Sequence, residues 1–179
     1  LLFELAFLTF GISSILGGLN FIATIVTQRA PGMTWGRLPI FAWSVLAASV
    51  ISLTATQWVA YGLLMIIFER IFNMVFFSPP GGNALLYEHV FWFYSHPAVY
   101  IMILPAFGAE LEIISHFARK PLFAYRWVVR AFALIVFLSF IVWAHHLFTS
   151  GMGENLHGPF MILTELISIP TGVVFLSAL

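Results

Sequence analysis

Cysteine is absent from this sequence, which removes disulfide bonds and thiolate metal sites from consideration. Aspartate is absent too, and lysine occurs once, at Lys120. Charge of either sign is scarce: Asp, Glu, Lys and Arg make up 8% of the 179 residues, where a soluble domain carries about 25%. A net charge of zero leaves no electrostatic footprint for nucleic acid. No basic segment followed by a short apolar core marks a cleavable signal peptide. What fills the chain is apolar, at 61% hydrophobic with a mean hydropathy of +1.03. That composition belongs to a membrane-embedded chain. The sequence opens on Leu1 and stops at Leu179 inside apolar runs, as expected of a piece of a longer membrane protein.

Five apolar stretches, roughly 2–27, 38–68, 86–114, 123–149 and 158–179, are each long enough to cross about 30 Å of hydrocarbon as a helix. They predict an all-α transmembrane bundle in one partial membrane domain. The breaks between them carry loop signals: two Pro and two Gly in "QRAPGMTWGRLP", Pro-Pro-Gly-Gly in "ERIFNMVFFSPPGGNA", basic residues in "SHFARKPLFAYR", and Gly in "TSGMGENLHGP". Pro97, Pro105 and Pro170 fall inside apolar stretches and read as kinks. The cations fix an orientation. Arg29, Arg37, Arg119, Lys120, Arg126 and Arg130 lie in or beside the first and third loops, and Arg70 alone lies in the second. The positive-inside rule makes the loops around 28–37 and 115–125 cytoplasmic.

Polar groups at membrane depth are expensive and mark function. His96 sits about ten residues into the third stretch, and His145 and His146 lie near the end of the fourth, in "VWAHHLFTSG". On neighbouring antiparallel spans the three reach similar depth. One such histidine reads as a satisfied core residue. Three imidazoles at one level, with no thiol and no nearby carboxylate, suit copper or zinc. Tyr100 follows His96 by four residues and shares its helical face. It lies away from the segment ends where aromatic belts form. A phenol beside a metal-bound imidazole can donate a proton and an electron.

The runs "HVFWFYSHPAVYIMILPAFG" and "VWAHHLFTSG" resemble the catalytic subunit, subunit I, of haem-copper terminal oxidases. "GISSILGGLNFIATI", "RAPGMTWGRLPIFAWSVL" and "SIPTG" extend the likeness over essentially the whole chain. The resemblance implies the fourth to eighth of about twelve helices. It implies that His96, His145 and His146 bind copper B, and that Tyr100 is covalently joined to His96. It further implies a high-spin and a low-spin haem whose axial ligands lie outside these residues. The implied activity is reduction of dioxygen to water, coupled to proton translocation in a prokaryotic plasma membrane. Implied partners are oxidase subunit II and other respiratory subunits, cytochrome c or quinol as electron donor, and membrane lipid.

Three positions depart from the family pattern. Many members have Glu where this chain has Ala98. A subclass instead places Tyr-Ser before the histidine, and Tyr94-Ser95 match it as a substitute proton relay. Their plain alternative is packing and back-bonding within the helix. The family's second proton channel carries a Lys where Val174 stands, and a Ser where Leu111 stands, although Thr171 is kept. Glu110 and Glu112, near the cytoplasmic end of the third span, are candidate carriers, or interfacial groups in contact with water. Glu165 is out of phase with Val174 and does not replace the lysine. Glu69, Glu88, His89, His116 and His157 receive no role.

The missing lysine also suits a nitric oxide reductase on the same scaffold, which needs fewer protons. Tyr100 speaks against that, because nitric oxide reducers generally lack the tyrosine. A transporter or channel explains five spans and buried Glu, but not three histidines matched in depth.

Overall fold

The computed structural model describes residues 1–179 as five α-helices and three short 3-10 turns, without strands. The helices are α1 (Leu2–Thr27), α2 (Ile40–Phe72), α3 (Ala84–Ala118), α4 (Tyr125–Ser139) and α5 (His157–Ala178). Four segments are long and apolar enough to cross a membrane: α1, α2, α3, and α5 counted from Glu154.

Sequence chemistry sets the helix ends. Asn83 caps α3, its side-chain oxygen accepting from the Leu85 and Leu86 N–H groups. Arg119 closes the same helix in the left-handed region at φ 53°. The Lys120 N–H then reaches back to the Ser115 carbonyl and the Arg119 N–H to that of His116, the hydrogen-bond pattern of a Schellman stop. Pro39 leads into α2, where its fixed φ and missing donor do no harm.

Small residues set the packing. Val90 of α3 lies against Gly62 of α2, and Ser44 of α2 against Gly108 of α3. The two pairs run in opposite chain directions, so the helices are antiparallel and in close register. A Cβ at Gly108 would fall 2.0 Å from Ser44 Oγ and 2.9 Å from the Phe41 Cα, so only glycine fits. The α1–α2 seam follows the same logic. Gly18 meets the Ser49 carbonyl, Gly11 meets Thr56, and the Ser52 hydroxyl donates to the Ser14 carbonyl at 3.1 Å. Small residues let apolar helices approach closely where no hydrophobic force separates helix from lipid. Ile51, Leu104, Phe132 and Ile135 form a buried core joining α2, α3 and α4, to which α5 adds Ile167 and Val174.

The fourth apolar stretch departs from the expected unbroken span over 123–149. Its α-helix ends at Ser139, after 15 residues, or about 22 Å. The backbone then tightens: Phe140, Ile141 and His145 each donate to the carbonyl three residues back, and Trp143–Leu147 is a 3-10 turn. Hydropathy registers the apolar run but is blind to this change of hydrogen-bond register.

Candidate metal centre

That 3-10 turn carries His145 and His146 to the face of α3 that bears His96. The ligand atoms of the three imidazoles lie within 4.8 Å of one another. His96 Nδ1 is 3.2 Å from His146 Nε2. His96 is buried, and its Nε2 has no hydrogen-bond partner. A buried, unpartnered ring nitrogen is costly unless something binds it. A metal about 2.0 Å from each imidazole nitrogen holds its donors about 3.3–4 Å apart, so the rings need close by about 1–1.5 Å at their widest pair. The donor set fits a copper or zinc ion.

Two of the three rings are oriented by a neighbour from outside the cluster. The hydroxyl proton of Thr164 on α5 goes to the Phe160 carbonyl at 2.6 Å. Its oxygen must therefore accept from His145, whose Nδ1 lies 2.8 Å away. That puts the His145 proton on Nδ1 and leaves the Nε2 lone pair free to bind a metal. Trp92 stacks on His146 with ring centroids 3.7 Å apart and planes within 3°. Trp143 Nε1 donates to His89 Nδ1 at 3.2 Å, tying the 3-10 turn to the first turns of α3. Ala144, Leu147 and Met152 form a small buried cluster beneath the turn.

Tyr100 lies beside His96, ring centroids 5.1 Å apart, as the four-residue spacing requires. Tyr94 packs against the main core, and neither the Tyr94 hydroxyl nor that of Ser95 makes a hydrogen bond within the chain. Thr171 donates to its own helix at the Ile167 carbonyl. Glu110 and Glu165 are exposed. Glu112 has a definite partner: its Oε1 accepts from the Phe41 N–H at 3.2 Å, capping the first turn of α2 from another helix. From Glu112 back to Tyr100 is twelve residues, about 18 Å along the helix. The buried residues on that stretch are Leu104, Phe107, Gly108 and Leu111, and Val174 joins the same core. No polar side chain of this set links the two.

Sequence reasoning missed three residues. Trp92 was legible, being four residues before His96 and so on the same face. Thr164 was not, because it reaches His145 from a different helix. Glu69, given no role, organises the loop after α2. One carboxylate oxygen accepts from the N–H groups of Phe76, Phe77 and Ser78 at 2.6, 2.6 and 3.1 Å.

Fold and site together define a class: a helical multi-pass membrane protein with a three-imidazole cluster inside the bundle. Comparison with known proteins narrows it. Residues 1–179 match the family described as cytochrome c and quinol oxidase polypeptide I, and the chain belongs to that family. It is 48% identical over 164 residues to cytochrome c oxidase subunit 1 of Bacillus subtilis, covering 91% of this chain and 26% of that protein. It is 47% identical over 177 residues to the subunit 1 of a Synechocystis species, covering 98% of this chain and 32% of the relative. The subunit 1 of Cereibacter sphaeroides is 44% identical over 168 residues, covering 93% of this chain and 30% of the relative. The chain thus spans about a quarter to a third of the length of these relatives.

Proposed function

We propose that this chain forms the copper-binding part of a terminal oxidase that reduces dioxygen to water and couples the reaction to proton translocation. The observation that carries the proposal is the convergence of His96, His145 and His146 within 4.8 Å, with Tyr100 alongside His96. In this reading the three histidines hold copper B. Copper held there would supply one-electron redox chemistry, and the haems of the proposed enzyme would take their ligands from outside these residues. Thr164 fixes the His145 tautomer, and Trp92 fixes the plane of His146. Tyr100 holds a proton and an electron within reach of the site. A covalent bond between the His96 and Tyr100 rings would remove one hydrogen from each and pass two electrons to dioxygen, tethering the phenol.

Reduction of dioxygen to two waters consumes four electrons and four protons. Cytochrome c or quinol is the electron donor in this proposal, with subunit II as partner and the prokaryotic plasma membrane as location. Tyr94 and Ser95, next to His96 in sequence and bonded to nothing else, are the proposed proton relay. Glu110 and Glu112 are proposed uptake groups at the cationic end of the bundle.

Gas consumption by the full-length complex tests the proposal. Given a reductant, it should take up dioxygen rapidly and nitric oxide slowly. Brisk nitric oxide loss with negligible dioxygen uptake would instead mean that Val174 marks a nitric oxide reductase.

A further inference from the structure

Six of the seven cationic side chains lie at one end of the bundle, in or beside the loops joining α1 to α2 and α3 to α4. The seventh, Arg70 at the opposite end, is paired with Glu4 of α1, Nη1 to Oε1 at 2.6 Å. None of the six has a carboxylate partner, since the ion pairs of the chain involve only Glu4. A cluster of unpaired cations at the end of apolar helices is a surface awaiting negative charge.

One part of that surface is shaped. A cavity of about 230 Å³ opens between the 3-10 turn before α2 and the first turns of α4. Arg126 and Arg130 line it, four residues apart on one face of α4, and Trp35, Trp43 and Tyr125 form its apolar wall. The wall is rigid. Trp43 Nε1 donates to Tyr125 Oη at 3.0 Å, and that hydroxyl donates to the Leu38 carbonyl. Trp35 packs on Trp43 at 5.4 Å and carries the Arg29 guanidinium over its ring at 4.1 Å. Neither Arg126 nor Arg130 makes a hydrogen bond or ion pair, and the Arg130 guanidinium lies over the Trp127 ring at 4.8 Å. Two guanidiniums with all donors free suit an anion that takes paired hydrogen bonds, as phosphate oxygens do.

We infer that the Arg126–Arg130 cavity binds the phosphate headgroup of an anionic phospholipid. Position and size favour lipid over protein. Trp and Tyr beside cations at the end of a span form the layer where headgroups lie. A volume of about 230 Å³ holds a phosphodiester and its glycerol, not a helix. Beyond Arg130, α4 continues as the apolar run Ala131–Leu138, with Leu134 and Phe137 exposed, a surface along which acyl chains can lie. The inference is independent of the chemistry proposed for the histidines.

The test uses the full-length complex in bilayer discs of phosphatidylcholine and phosphatidylglycerol, with native mass spectrometry counting retained lipids. The wild-type complex should keep phosphatidylglycerol preferentially, and Arg126→Gln/Arg130→Gln should weaken that preference about tenfold or more. A photoactivatable phosphatidylglycerol should label the segment 119–130 in the unaltered protein, a readout that needs no variant. Equal retention by wild type and variant, or labelling elsewhere only, would overturn the inference. So would displacement of the lipid by millimolar inorganic phosphate, which would make this a free-anion site, or cross-linking of the pocket to another subunit.

Discussion

At the scale of single residues, the hydroxyl of Thr164 decides which nitrogen of His145 is free. Thr164→Val removes the acceptor and leaves the His145 Nδ1–H unsatisfied. Copper affinity should fall about 10–100-fold, read by competition with a chelator, and Thr164→Ser should restore most of it. His145→Ala removes a proposed ligand outright. Copper content should drop to background and turnover should vanish, while the low-spin haem spectrum of the complex stays unchanged. Copper retained at full stoichiometry would contradict the ligand assignment.

At the scale of elements, the α2–α3 contact depends on residues without side-chain bulk. Gly108→Ala places a methyl against Ser44 and the Phe41 backbone, and the helices must part to admit it. The expected loss is about 1–3 kcal/mol, seen as earlier thermal inactivation of the purified complex. Glu112 offers a subtler case. Glu112→Gln keeps an acceptor for the Phe41 N–H and should leave stability unchanged, whereas Glu112→Ala should lose about 1 kcal/mol. If both variants slow proton uptake equally, the carboxylate carries protons as well as capping a helix. The helices were legible because each is a long apolar run bounded by Pro, Gly or Asn. The break after Ser139 was not, because the apolar character continues through a change from four-residue to three-residue hydrogen bonding. The histidine cluster was legible from depth and spacing, since His96, His145 and His146 are polar groups in hydrocarbon. The contacts that orient those rings were not, since Thr164 and His145 meet only once α5 has packed against the turn.

At the scale of the whole molecule, the absence of cysteine from these residues lets a single introduced thiol report their topology, once any cysteine elsewhere in the complex is replaced. Gly36→Cys and Ser150→Cys, introduced singly, should react with a membrane-impermeant thiol reagent from opposite sides, the first from the cytoplasm. Labelling of both from one side would undo the charge-based orientation. The same charge distribution has an electrical meaning. With Arg70 neutralised by Glu4 and six cations unpaired at the other end, the bundle is polarised along the membrane normal. Moving one elementary charge across 100 mV takes about 2.3 kcal/mol. With the cationic end inside, as the charge bias predicts, inverting the inserted chain in a membrane negative inside would mean dragging that set of cations against the field, so a membrane potential would oppose inversion of this segment.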